Sequence, residues 1–189
     1  QNIGFTIDQD FILKTCLVIV SKDIRFSLQN FGATTIEDIG ANWGKITRSI
    51  IEAFTLARSL SFNDYSLRAK NALIPIIYYL FKTGYYTDIN KDNRHQSNKQ
   101  AIRQYLHISL LNKLFSGSVD GFLSRLRRLT EQNLQGDFPL EALRHEFTEP
   151  SKSFSIGEEH LKGFLRRNYD ELDSFYTLAL LYPNFDFQF

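Results

Sequence analysis

Apolar residues recur at intervals of three and four through most of this chain, the spacing that places them on one face of an α-helix. The steepest case is the stretch from Ala101 to Leu129, AIRQYLHISLLNKLFSGSVDGFLSRLRRL. It predicts two helices joined at Phe115-Ser116-Gly117-Ser118. Gly117 takes the left-handed backbone that ends the first, and Ser118 accepts from the free amides that start the second. In the second helix Val119, Phe122, Leu123, Leu126 and Leu129 share one face, Arg128 and Ser124 lie opposite, and Arg125 and Arg127 flank the apolar stripe.

The same reading extends along the chain. Thr6-x-x-Gln9 has the form of a capping box and predicts a helix over 7–20, with a buried strand through Val18, Ile19 and Val20 as the alternative. A second box, Thr34-x-x-Glu37, predicts the longest helix, over 35–60, with a seam of Ile36, Ile39, Trp43, Ile46, Ile50, Ala53, Ala57 and Leu60. Gly40 and Gly44 inside it cost ~1 kcal/mol each relative to Ala, which predicts something packed closely against them. The run NALIPIIYYLF at 71–81 is apolar all round and belongs at the centre, with Asn71 as cap, Pro75 in the first turn and Gly84 closing the helix.

Polar residues at 87–97 predict a surface loop, mobile over 91–97, after which Ser97 or Asn98 caps the next helix. Pro139 fits the first position of a short helix ending near Phe147, and 148–154 reads as a linker. A third box, Ser155-x-x-Glu158, opens a helix through Leu161, Phe164 and Leu165. The last helix starts near Asp170, carries a stripe of Leu172, Phe175, Leu178 and Leu181, and stops at Pro183. The expected fold is all-α, a compact single domain over 1–189 with about eight helices and a helix-turn-helix-like pair at 98–133.

Charge adds a candidate surface. The net charge is +1, yet between Lys91 and Thr130 eight Lys and Arg face only Asp92 and Asp120, a local balance of +6. Such asymmetry favours an acidic partner. Lys99, Arg103, Arg125, Arg127 and Arg128 are the candidate nucleic-acid-binding residues, because cations that meet phosphates release condensed counterions whatever the sequence. A solvated helix rim whose stems cover apolar neighbours is the competing reading of the same residues.

Candidate chemistry is sparse. The histidines at 95, 107, 145 and 160 stand without carboxylates or thiols at metal-ligand spacing and read as ordinary surface or boundary residues. Carboxylate pairs Glu158-Glu159 and Asp170-Glu171 sit near helix starts, where they favour the dipole. The fragment Gly40 to Thr47 is too short between its glycines for a phosphate loop and follows no strand, so it reads as helix interior. Cys16, the only cysteine, lies among Ile12, Leu13 and Ile19 and reads as a buried apolar residue; with no disulfide possible within the chain, a cytoplasmic setting is expected. No apolar run approaches a membrane span. The chain begins at Gln1 and holds no Met, which predicts a piece of a longer polypeptide.

The order of several short motifs resembles the helical region of the GmrSD-type family of defence proteins. These are Asp10 to Leu17 (DFILKTCL), Trp43, Asn71 to Leu80 (NALIPIIYYL), Leu114 to Asp120 (LFSGSVD) followed by Leu126-Arg127, then Phe138-Pro139 and Leu178 to Pro183 (LALLYP). The resemblance implies a type IV, modification-dependent restriction protein in antiphage defence. In that family a ParB/sulfiredoxin-like nucleotide domain with an Asp-Gly-Gln-Gln-Arg motif precedes the helices, and an HNH nuclease often follows them. Neither catalytic block is present in this chain, so no catalytic residue, metal ligand or cofactor is assigned to any position. The resemblance implies that this segment holds the nucleotide and HNH domains of its parent in register and meets modified DNA through the basic 91–130 segment. A protein–protein interaction or dimerisation module that never touches DNA, including a homo-oligomer, is the alternative.

Overall fold

A computed structural model describes residues 4–21, 30–149, 151–157, 162 and 171–182. Among these residues every regular element is a helix. In chain order they are α1 (Gln9–Val20), α2 (Ala33–Ser59), α3 (Ile74–Thr83), α4 (Gln96–Leu111), α5 (Asp120–Gln132), α6 (Leu140–Glu146) and α7 (Leu172–Leu181), with short 3-10 turns at Lys70–Leu73, Tyr85–Thr87 and Asn93–His95.

The central element is α3, whose residues from Ile74 to Leu80 are all buried. It packs on α1, α2 and α5, while α4 packs mainly on α7. Pro75 sits in its first turn, where amides have no partner inside the helix to lose, and Gly84 closes it with φ of 78° and an amide bonded to Leu80 O. The α5 face is as expected: Phe122, Leu123, Leu126 and Leu129 are buried with Val119, and Ser124 and Arg128 are exposed. The helices predicted at 98–133 are α4 and α5, and α6 touches both. Val18 and Ile19 lie in helix, so the strand alternative is not adopted.

The caps differ from expectation. Asp8, not Thr6, caps α1 by accepting from the Phe11 amide at 2.7 Å. The amide of Thr6 instead donates to Asp64 Oδ1. Gly32 rather than Thr34 precedes α2, Val119 rather than Ser118 precedes α5, and neither helix start receives a side-chain hydrogen bond from its cap. A 3-10 turn stands where Asn71 was expected to start α3. Lys113 takes positive φ just after α4, and Leu114 N reaches back to Ser109 O, so this helix ends before Gly117 is reached.

The polar stretch at 87–97 is tied at many points. Asp88 bonds both Arg94 and His95, Arg94 also pairs with Asp92, and Asn90 donates to Glu52 Oε2 at 2.7 Å. Burial pushes the Asp88 carboxyl up, but Arg94 and His95 outweigh it and hold it below the usual carboxylate range. The segment at 148–154 also lies against the body: Phe154 is buried, Lys152 lies over the Phe122 ring, and Asn112 Nδ2 donates to Ser153 O. The third capping box and the helix through Leu161, Phe164 and Leu165 fall largely outside the described residues, as do His160 and Asp170.

Two apolar stripes are corrected. In α7 the buried residues include Leu172, Phe175, Tyr176 and Ala179, whereas Leu181 of the expected stripe is exposed. In α2 the seam is buried from Ile46 to Ala57, but Ile36 and Trp43 are 58 % and 49 % exposed. Beyond the helix's own backbone, no described atom comes within 4 Å of a Cβ built at Gly40 or Gly44, so the close packing expected there is not found among the described residues.

Candidate interaction sites

The five candidate cations divide between two helices. Lys99 and Arg103 are half-buried, one turn apart on α4, and Arg103 stands one turn before the buried His107. Arg125, Arg127 and Arg128 lie on α5, and each is engaged inside the chain. The Arg125 guanidinium sits 4.4 Å from the centre of the Phe147 ring and 3.5 Å from Glu149. Arg127 donates to Ser21 O at the end of α1 and lies over the Tyr78 ring. Arg128 reaches Glu146 at 3.4 Å. Carboxylates from α6 and the turn after it thus answer part of the charge that looked uncompensated along the chain. Two of the arginines also spread over aromatic faces, an arrangement in which the planar head is both packed and charged.

A polar cleft of about 390 Å³ opens beside the start of α1 between Asp8, Asp10, Lys14, Arg68 and Lys70. Its groups are mostly spoken for: Lys14 pairs with Asp120 at 2.9 Å, Lys70 with Asp64 at 2.8 Å, and Asp8 is the helix cap. Among the described residues no group of three or more His, Cys, Asp or Glu could hold a metal ion. Cys16 is buried, and burial pushes its thiol up to about 11, which keeps it protonated and unreactive at neutral pH.

His107 departs from the surface reading of the histidines. It is 1 % exposed, neither ring nitrogen finds a hydrogen-bond partner, and the ring is enclosed by Phe62, Phe175 and Tyr176. Burial first, and then the Arg103 charge, lower its pKa to about 3. His95 is buried as well, its ring tilted against that of Tyr85 and bonded to Asp88. His145 is exposed.

The site that sequence reading assigned to the core is the amino-terminal half of α2. Ile36 and Trp43 are exposed on it, Ile51 is exposed further along the helix, and a cavity of about 590 Å³ lies beside Trp43, lined by Gly44, Thr47, Arg48, Ile51, Glu52 and Lys91. Clustered large apolar side chains on a helix surface mark an interaction site more often than isolated ones do. The sequence carries no signal for this exposure: at 100° per residue Ile36 and Trp43 lie within about 40° of the buried Ile50 and Phe54, and only Ile51 falls clearly outside that stripe.

No helix among the described residues is long and apolar enough to cross a membrane. Compared with known proteins, the chain matches no family model and no curated protein.

Proposed function

We propose that this domain is a helical scaffold that docks another polypeptide on the exposed face of α2 and carries out no chemistry of its own. The observation that supports the reading is the pair Ile36 and Trp43, 58 % and 49 % exposed one above the other on a helix whose other half is core. Large apolar groups held rigidly in water gain burial on association, about 25 cal/mol per Å² of apolar surface. In the setting that the GmrSD-like resemblance implies, the scaffold holds the nucleotide-handling and HNH parts of a modification-dependent restriction protein in register. The test is the double variant Ile36→Ser/Trp43→Ser. A docking face predicts an unchanged thermal melt in dilute solution, and a fall of more than about 5 °C would mean that these side chains are core.

A second reading, contact between this domain and DNA phosphates, is favoured by Arg128, whose side chain is 62 % exposed despite its Glu146 partner. It separates cleanly from the first. If Arg125, Arg127 and Arg128 meet phosphates, replacing them with Ala flattens the dependence of log K on log salt by ~0.9 for each phosphate no longer neutralised. A slope that does not move leaves docking alone.

A further inference from the structure

We propose that the cavity beside Trp43 binds a small anion that carries a planar ring, the chemistry shared by a nucleoside monophosphate and an aromatic carboxylate. The inference goes beyond the docking reading: Ile36 does not line this cavity, and the walls are charged as well as apolar.

Two rows of side chains on α2 make most of the wall. Trp43, Thr47 and Ile51 follow one another at four-residue intervals, and Gly44, Arg48 and Glu52 form the next row. The second row begins without a side chain, so the space next to the indole stays open. A Cβ at Gly44 meets nothing within 4 Å beyond its chain neighbours and the helix backbone. Lys91 completes the lining from the segment between α3 and α4. That segment is fastened to α2: Asn90 Nδ2 donates to Glu52 O at 3.0 Å and to Glu52 Oε2 at 2.7 Å, and the Lys91 amide donates to Asp88 O at 2.8 Å. A volume of about 590 Å³ lies in the range of small-molecule sites.

The ring and the charges define what fits. Trp43 is 49 % exposed, and an indole held on a helix offers a face on which planar rings stack. Arg48 makes only a 3.9 Å contact with Glu52 among the described residues, and Lys91 makes no ion pair among them. Glu52 is the one acidic group on the wall and is already bonded by Asn90. Arg48, Lys91 and Glu52 together leave one positive charge, which favours an anion placed between the two cations. The Thr47 hydroxyl is an uncommitted donor on the same wall. Unlike those of Ser49 and Thr55, it makes no bond to the carbonyl four residues before it. A cation would be repelled by Arg48 and Lys91, and a purely apolar ligand would leave both unanswered.

The experiment uses the whole chain, and its only tryptophan reports occupancy directly. Adenosine monophosphate and phenylacetate are titrated against Trp43 emission. Adenosine and benzyl alcohol serve as the rings alone, inorganic phosphate and acetate as the anions alone. At least one ring-bearing anion is expected to give a saturating change, about tenfold tighter or more than its ring or its anion alone. Which of the two binds tighter separates a phosphate ligand from a carboxylate. Lys91→Gln and Arg48→Gln should each weaken that binding about tenfold, and Gly44→Leu should abolish it by filling the cavity, with melts within about 3 °C of the parent's. The site is overturned if neither ring-bearing anion saturates, if a ring or an anion alone binds as tightly, or if both glutamine variants keep the parent's affinity. None of these outcomes moves the Ile36→Ser/Trp43→Ser melt, so failure of the ligand site leaves polypeptide docking standing.

Discussion

Asn98, 1 % exposed on α4, donates through Nδ2 to the Tyr79 hydroxyl at 2.9 Å, and that hydroxyl in turn donates to Gly136 O at 2.6 Å. The Asn98 Oδ1 accepts from the Phe138 amide at 3.0 Å. One amide side chain thus ties α4 to α3 and, through Phe138, to the turn that leads into α6. Burial pushes the Tyr79 hydroxyl well above its ordinary pKa, which keeps it a donor at neutral pH. Asn98→Ala strands the Phe138 amide and is expected to cost about 2–4 kcal/mol, against about 1–2 for Tyr79→Phe; urea melts with a double-mutant cycle check whether the two effects couple.

His107 makes stability depend on pH. Its folded pKa of about 3 lies below the ordinary value of 6.5, so the folded state resists a proton that the unfolded chain accepts. Stability is fully present above pH 6.5 and falls as pH drops toward 3, by at most about 1.4 kcal/mol per pH unit from this group. His107→Phe removes two buried nitrogens without partners from an aromatic nest. Chemical denaturation between pH 7 and 4 should show the variant with a shallower decline than the parent chain. Equal slopes would mean that the ring finds a partner in solution.

Gly40→Ala and Gly44→Ala should each stabilise the monomer by up to about 1 kcal/mol, since both sit inside α2 with open space where the methyl would go. Thermal melts in dilute solution measure this, with an expected rise of about 2–4 °C per substitution. A fall in either melt would show that a neighbour packs on these positions.

Leu126→Asp is expected to unfold the domain. Leu126 is 0 % exposed on the α5 face that packs against α3, and the substitution removes about 1.5–3 kcal/mol of burial and leaves an unpaired charge in its place. Circular dichroism and a melting curve indistinguishable from the parent's would refute the packing of α5.

What the sequence determined by itself was the helical class, the apolar centre at Ile74 to Leu80, the face of α5 and the left-handed stop at Gly84. These follow from periodicity and backbone preference, which act over a few residues and are written in neighbouring positions. Only the tertiary structure decided which stretch of the α2 stripe is covered, because burial at Ile36 or Ile46 depends on what lies opposite, not on the helix that carries them. The same holds for the polar groups. Asn98 reads as a helix cap, and Arg125, Arg127 and Arg128 read as free charge, until distant segments bring them Phe138, Glu149, Ser21 and Glu146. A polar side chain bonds whatever the fold places within about 3 Å of it, and local pattern carries no information about that neighbour.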